Sequence, residues 1–281
     1  MEFETISWEL RDDGIGIITL NRPEKMNTIT FQMVEDLHKI ADHLMTNLEC
    51  RVLIFRSEGK NFSAGSDLKD GNQLTLRKTY EGYEKYFYLD VPEVVKKRMY
   101  YQWHISQFYI KMRKITQPII CLIQGPAVGA AFSFCLASDI RIAGPRATFK
   151  NAVINLGLVG VDVGSSYWLP RLIGMSRAAE ITYSGEAIDA QKALDYGLLL
   201  KIVDEDKLLD AGLELAELYL GKSPMGLRMT KEILNRTMDS PSLDTMISME
   251  NAFQTVAGMS KDLGEGGAAF LQKRKPKYPK K

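Results

Sequence analysis

A chain of 281 residues with 45% hydrophobic and 25% charged side chains is long enough for one large core plus an appendage, and its composition is that of an ordinary globular protein. Its net charge of +1 gives no global electrostatic basis for binding nucleic acid or a membrane surface. Three sparse cysteines, Cys50, Cys121 and Cys135, fit no metal-ligand spacing and suit a reducing cytoplasm, the start Met1-Glu2-Phe3-Glu4 lacks a signal-peptide pattern, and no apolar run reaches the roughly 18 residues of a membrane span.

Residues 5–10 alternate, and 14–21 follow the charged turn Arg11-Asp12-Asp13-Gly14; together they predict a β-hairpin. Residues 21–27 are a loop. Thr30 is placed to cap a helix with Phe31, Val34, Leu37, Ile40, Ala41 and Leu44 at helical spacing, with His38 and His43 read as facing solvent. Residues 51–57 are a strand, and the turn Glu58-Gly59-Lys60-Asn61 leads into Phe62-Ser63-Ala64-Gly65-Ser66-Asp67-Leu68-Lys69. Residues 70–91 have no clean period and read as a variable segment. Pro92 opens a long helix to about Ile115, with Trp103 and Phe108 expected on one face and Pro118 ending the connection.

Ile119, Ile120 and Ile123 mark a buried strand, stopped by Gly125 and Pro126. Gly129, Ala130 and Ala131 then open an apolar helix to about Ala137. Small residues at a helix start let a ligand reach bare backbone, and the unpaired N–H groups of a first turn carry partial positive charge, so this joint can stabilise an oxyanion; a tightly packed strand-to-helix joint is the plainer alternative. Further on, 139–143 is a strand, 147–149 is extended, 151–164 is glycine-rich, and Ser165 or Ser166 caps a helix to Leu172. Helices at 177–183 and 190–196, with Gly197 as C-cap, precede a last strand at 199–203. The remainder reads as helices at about 206–220, 225–236, 243–257 and 262–273, which divides the chain into a core over 1–200 and a helical region over 201–281.

Four segments line up in order: LNRPEKMN (20–27), NFSAGSDLK (61–69), IQGPAVGAA with LASDIRIA (123–131 and 136–143), and LPRLIGMSRAAEITYSGEAIDAQKALDYGLL (169–199). With FLQKRKPKY near the end, the chain resembles the crotonase, or enoyl-CoA hydratase/isomerase, superfamily over essentially its whole length. The resemblance implies an α/β fold in which ββα units form a spiral core, followed by C-terminal helices that build homotrimers or dimers of trimers. It implies acyl-CoA thioester substrates, with coenzyme A as part of the substrate and no separate cofactor. Two backbone N–H donors hold the thioester oxygen in such proteins, and they fall on Ser66 and Ala130. The adenine and phosphate contacts map onto Ala64, Ser66, Asp67 and Leu68, with Lys69 near the phosphates, Arg22 and Lys25 flanking the same mouth, and Gly129 preceding the second donor. Phe270 and Lys273 match a tail position that reaches the coenzyme A of a neighbouring subunit.

The two water-activating glutamates of enoyl-CoA hydratases fall on Ser133 and Val153, neither of which can do that work; both positions still border the expected acyl site. A different carboxylate is available. The stretch GVDVGSSYWLPR (160–171) resembles the segment of dienoyl-CoA isomerases and aryl-CoA dehalogenases that carries their catalytic aspartate, which maps onto Asp162. An apolar setting there raises a carboxyl pKa and suits it to proton transfer, while N-capping of the Ser165 helix is the structural alternative. His104 beside Trp103, and Asp139, read as structural. Tyr83, Glu84, Tyr86 and Tyr88 are candidates for the acyl pocket. One carboxylate favours double-bond isomerisation. Hydration or ring hydrolysis of a cyclic or dienoyl-CoA is the alternative, and a non-catalytic acyl-CoA or RNA-binding member of the superfamily is the reading from another class.

Overall fold

In the computed structural model, residues 1–70, 91–240 and 242–278 are described; the candidate pocket residues Tyr83, Glu84, Tyr86 and Tyr88 lie outside them. The first hairpin, β1 (Ile6–Leu10) and β2 (Ile15–Leu20), continues in parallel through β3 (Val52–Ser57) and β4 (Ile119–Ile123). A second, three-stranded sheet contains β5 (Pro126–Val128), β7 (Thr148–Lys150) and β8 (Ala187–Asp189). Strands β6 (Ile140–Ala143) and β9 (Lys201–Ile202) complete the first sheet in the order β1-β2-β3-β4-β6-β9. Chain units then alternate between the sheets. In β4-β5 and β6-β7 the first strand joins the large sheet and the second the small one, and a helix follows; after β3, the bridge Ser63↔Ala127 takes the place of the second strand. This is the ββα spiral that the resemblance implies.

Strands buried on both faces read as continuous apolar runs rather than alternating ones, which is why IICLI and VLIF are legible. Alternate residues go to opposite sides. Leu20, Leu53, Phe55, Ile119, Cys121 and Ile123 lie under α1 (Phe31–Thr46), α2 (Glu93–Lys114) and α3 (Ala130–Ala137). Ile15, Ile17, Val52, Ile54, Ile120 and Leu122 lie under Leu208, Ala211 and Ala216. Each such aliphatic side chain contributes about 1.5–3 kcal/mol of transfer free energy. Strand β4 ends at Ile123 before Gly125 and Pro126, as expected, and Pro126 then begins the separate strand β5, a place where a missing N–H costs nothing.

Four further helices follow the core joint: α4 (Ser165–Ile173), α5 (Met175–Ser184), α6 (Ala190–Asp195) and α7 (Leu208–Leu220). Helix α7 covers the second face of the large sheet so closely that a Cβ on Gly212 would lie 2.8 Å from Leu122. Beyond it, α8 (Pro224–Thr237), α9 (Leu243–Gly258) and α10 (Lys261–Leu271) pack one on the next. A buried polar staple ties α8 to the core. Lys231 Nζ donates to Gln117 O at 2.7 Å and pairs with Asp139 at 2.8 Å, and Asp139 also receives the Ile119 N–H at 2.8 Å and the Arg113 guanidinium at 3.1 Å. Asp139 and its partners are thus structural, as expected. The three cysteines are buried and free, and no helix among the described residues is long and apolar enough to cross a membrane.

Two expectations about helix faces fail for geometric reasons. Trp103 and Phe108 are five residues apart, about 140° around a helix, so Phe108 is buried with Ile105, Tyr109 and Met112 while Trp103 is 36% exposed. His38 shares the stripe of Val34 and Ala41 and is buried between α1 and α2, its Nε2 3.0 Å from His104 O and its ring 4.5 Å from that of His104. His104 in turn meets Glu35 at 2.6 Å and stacks on Phe31 and Tyr100.

Burial pushes the His38 pKa down from 6.5 to about 4, with the His104 carbonyl opposing. Between those values the unfolded chain binds a proton that the folded chain refuses, so folding stability falls as pH drops from about 6.5 toward 4. The expected loss is on the order of 2 kcal/mol. Urea titrations of wild type and His38→Gln at pH 7 and pH 4.5 measure it: the variant loses less stability than wild type over that interval, and an equal loss in both refutes the assignment.

Candidate active site

Three loops converge above the α3 N-terminus, and Asn27 holds two of them. It is fully buried, and its Nδ2 donates to Glu58 O at 2.8 Å and Asn61 O at 3.1 Å while its Oδ1 accepts the Arg22 N–H at 2.8 Å. Its own carbonyl accepts from Ser63 Oγ at 2.7 Å. The 61–69 loop is then pinned on both sides of Ser66: Ile29 N donates to Gly65 O and Asp67 N to Ile29 O, each at 2.9 Å. Between these anchors the Ser66 N–H has no acceptor among the described residues.

The facing loop is as closely fixed. Ser63 N and Val128 N exchange bonds with Pro126 O and Ser63 O, and Gly129 N donates to Lys150 O at 2.8 Å. Helix α3 then begins at Ala130 with no side-chain cap, so the Ala130 N–H also lacks an acceptor among the described residues. Gly65 has φ +86, and a Cβ on it would lie 2.5 Å from Val128 O and 3.9 Å from Ala130 N. The two loops therefore touch backbone to backbone, which sets the two uncommitted donors side by side. Fixed N–H groups with no acceptor, one of them opening a helix, are chemically suited to a developing oxyanion.

Asp162 approaches the same helix from the 151–164 loop. This loop is closed by Asn151 Nδ2 donating to Gly160 O at 2.8 Å. Ser133, one turn after Ala130 and buried, reaches Asp162 O at 3.4 Å. The Asp162 N–H donates to Ser165 Oγ at 2.9 Å, and its Oδ1 accepts the Val163 N–H at 2.8 Å and the Gln102 amide from α2. The carboxylate does not cap α4. Gly164 is the N-cap residue, and neither Ser165 nor Ser166 fills that position, contrary to expectation. Val163 adopts φ +38, an expensive conformation for a β-branched residue, worth about 1–3 kcal/mol. Burial raises the Asp162 pKa above the ordinary carboxylate value, opposed by the Val163 N–H and the Gln102 amide.

Helix α2 touches all three groups. Tyr101 hydrogen-bonds the Ser66 side chain, and burial pushes its own pKa to about 12. Gln102 meets Asp162, and Tyr109, which is 1% exposed, donates its hydroxyl to Ala130 O at 2.7 Å. Sequence reading missed Asn27, Tyr101, Gln102 and Tyr109. One signal was available: the buried stripe Ile105, Tyr109, Met112 extrapolates back one turn to Tyr101 and Gln102.

The remaining candidates divide. Ala64 and Asp67 lie against the 22–28 segment, since Ala64 N donates to Met26 O and Thr28 Oγ1 to Asp67 Oδ2. Lys25, Leu68 and Lys69 are exposed there, and the Arg22 guanidinium is fixed on Thr28 O at 2.8 Å. The Asp67 carboxylate is committed locally, accepting the Lys69 and Asp70 N–H groups at 3.1 and 3.2 Å. Burial raises its pKa, but the Asp70 N–H, Thr28 and Lys69 outweigh this and leave it lowered. Val153 sits half-buried in a 3-10 turn (Ala152–Leu156) of the Asp162 loop. Phe270, 83% exposed, and Lys273 stand at the end of α10 and take no part in the cluster around Ser66, Ala130 and Asp162.

Comparison with known proteins matches residues 11–281 to the family model described as enoyl-CoA hydratase/isomerase. The chain is 31% identical over 271 residues to 1,2-epoxyphenylacetyl-CoA isomerase of Escherichia coli, covering 95% of each. It is 26% identical over 278 residues to trans-2-decenoyl-[acyl-carrier-protein] isomerase of Streptococcus mutans, covering 99% of each. Among solved structures, enoyl-CoA hydratase from Bacillus anthracis superposes with a TM-score of 0.87 at 28% identity, over 99% of this chain and 100% of that one.

Proposed function

The chain belongs to the enoyl-CoA hydratase/isomerase family, and on that premise we propose that it moves a double bond along the acyl chain of a coenzyme A thioester. The Ser66 and Ala130 N–H groups hold the thioester oxygen, and Asp162 takes a proton from one carbon and returns it to another. The observation that carries this reading is one partly buried carboxylate with a raised pKa beside two backbone donors that are uncommitted among the described residues. Hydration needs a positioned water as well, and the side chains at the positions expected to hold it, Ser133 and Val153, cannot activate one. Removing a proton next to a thioester puts negative charge on the carbonyl oxygen, and each fixed donor stabilises that charge by about 3–4 kcal/mol in a site closed to water. The relative named trans-2-decenoyl-[acyl-carrier-protein] isomerase supports the same choice, and the one named 1,2-epoxyphenylacetyl-CoA isomerase supports a coenzyme A thioester as the substrate. Arg22, Lys25 and Lys69 supply positive charge for the phosphates of coenzyme A, which is the only group the reaction needs besides the acyl chain. In a trimer, Phe270 and Lys273 would meet the coenzyme A of a neighbouring copy.

A panel of 2-enoyl-, 3-enoyl-, cyclic enoyl- and dienoyl-CoA esters, incubated in deuterated water and followed by mass spectrometry, tests the reading. Isomerisation gives a product that carries solvent deuterium and has gained no water. Gain of one water, or loss of the coenzyme A or ring bond, points to hydration or hydrolysis instead. No turnover on any ester, with salt-sensitive RNA binding, overturns the enzymatic reading.

A further inference from the structure

We propose that Gln102 is the positioning residue for Asp162: its side-chain amide fixes Oδ1 and leaves Oδ2 to carry the proton. This rests on the reading of Asp162 as the acid/base, and it concerns a residue in neither oxyanion loop. The geometry is specific. Oδ1 receives two donors, the Val163 N–H at 2.8 Å and Gln102 Nε2, whereas Oδ2 has no donor among the described residues. The other groups that face Asp162 are committed elsewhere. From α3, Ser133 reaches its carbonyl, and from α4, Ser165 accepts from its N–H. From α2, Tyr109 donates to Ala130 O and Tyr101 bonds Ser66. Among the described residues no lysine, arginine or histidine pairs with this carboxylate. Among the described residues, Gln102 is the one side chain that donates to it.

The chemistry favours an amide in this place. In an isomerisation, the carboxylate must first accept a proton and then release it. In the first step Oδ2 takes the proton, the C–H bonding pair becomes the new C=C of the enolate, and the former carbonyl pair rests on the thioester oxygen. In the second step that oxygen reforms its double bond, the enolate C=C pair moves one bond along the chain as the new conjugated C=C, the pair of the original C=C takes the proton from Oδ2–H at the far carbon, and the carboxylate is restored. A lysine or arginine at position 102 would hold the carboxylate charged and oppose the intermediate in which it is protonated. A glutamine is neutral, so its N–H donates to Oδ1 whether Oδ2 is bare or protonated. The carboxyl thus remains held in both states. Gln102 sits on the turn of α2 next to Tyr101 and two turns before Tyr109, so one helix sets Asp162 and both oxyanion loops in a common frame.

Gln102 is exposed, so its replacement leaves the core intact and the variants fold. Two measurements separate this inference from the reading beneath it. The first is the Asp162 titration, followed by carbon NMR on protein labelled at aspartate carboxyls and assigned by the signal lost in Asp162→Asn. Removing a donor to the carboxylate raises its pKa, so Gln102→Ala titrates about one unit above wild type, whereas Gln102→Lys titrates below it. The second is turnover of the ester the wild type converts: Gln102→Ala lowers kcat by about 10²-fold with KM nearly unchanged, as expected when a reacting group is misplaced. Titration midpoints equal to wild type in both variants overturn the inference even if Asp162→Asn is inactive. If the midpoints move as stated while Asp162→Asn remains active, the Gln102–Asp162 coupling stands and the catalytic assignment of Asp162 fails.

Discussion

Asp162→Asn is expected to lower turnover of an enoyl-CoA ester by about 10³-fold or more, the scale of losing a positioned acid/base, while binding of a saturated acyl-CoA changes little. The substitution is nearly isosteric, so the Oδ1 that accepts the Val163 N–H at 2.8 Å is retained, and the backbone bonds to Ser133 and Ser165 are untouched. What is lost is the ability to hold a proton. An amide has no acid/base couple near neutral pH, and among the described residues no other group in contact replaces it, since burial pushes Tyr101 up to about 12 and Tyr109 well above its ordinary value. The thermal midpoint should stay the same or rise, because the charged form of Asp162 is opposed by its burial and a neutral amide is not. Turnover by coupled mass analysis, affinity by calorimetry with butyryl-CoA and a melting curve separate the three effects. A variant that keeps a tenth of wild-type turnover sinks the assignment.

The raised pKa of Asp162 also sets the sign of the pH dependence. Isomerisation begins with the carboxylate, so activity rises as pH climbs through that raised pKa, and the free-enzyme profile has its acidic limb above the ordinary aspartate range.

The main frame was legible because it is local or periodic. A strand buried on both faces announces itself as IICLI, and Thr30 caps α1 by accepting from Met33 N as its residue type suggests. The ordered motifs then brought Ser66 and Ala130 together on paper before the backbone contact of Gly65 with Val128 did so in space. What escaped is non-local or short. Strands β5 and β8 have three residues each, too few to show a period. His38 was misread because residue type was weighed over position, although its spacing from Val34 and Ala41 puts it on the buried face. Asp162 illustrates the deepest limit. Its residue type and neighbours favoured a catalyst with a cap as the alternative; the backbone excludes the cap, since Gly164 is the N-cap of α4, and the side chain that Asp162 meets instead, Gln102, is sixty positions away in the chain. A contact of that length has no local signal, and it is such contacts that give a site its chemistry.

Gly65→Ala is the second large effect, expected to lower kcat by about 10²–10³-fold, the scale of losing one oxyanion donor. Gly65 has φ +86, and its missing Cβ would sit 2.5 Å from the Val128 carbonyl oxygen. The obstacle is backbone held by β5 and by the Gly129 N–H bond to Lys150 O, so no rotamer change relieves it. Either the Ser66 peptide turns away or the 128–130 segment withdraws, and both separate the two donors. Gly129→Ala makes the comparison sharp. It too has positive φ, at +54, but its Cβ would meet nothing within 4 Å. With ψ at -119 it lies outside the left-handed helical region, and the change costs about 1–3 kcal/mol of backbone strain without a clash that drives the loops apart. If the pair of N–H groups is the catalytic device, Gly65→Ala loses far more kcat than Gly129→Ala even where their melting temperatures fall together. Because the donors act most strongly on the charge that develops during reaction, affinity for butyryl-CoA should change much less than kcat in both. Equal losses of kcat and affinity would mean that these loops only bind the thioester, and the oxyanion assignment of Ser66 and Ala130 would then be withdrawn.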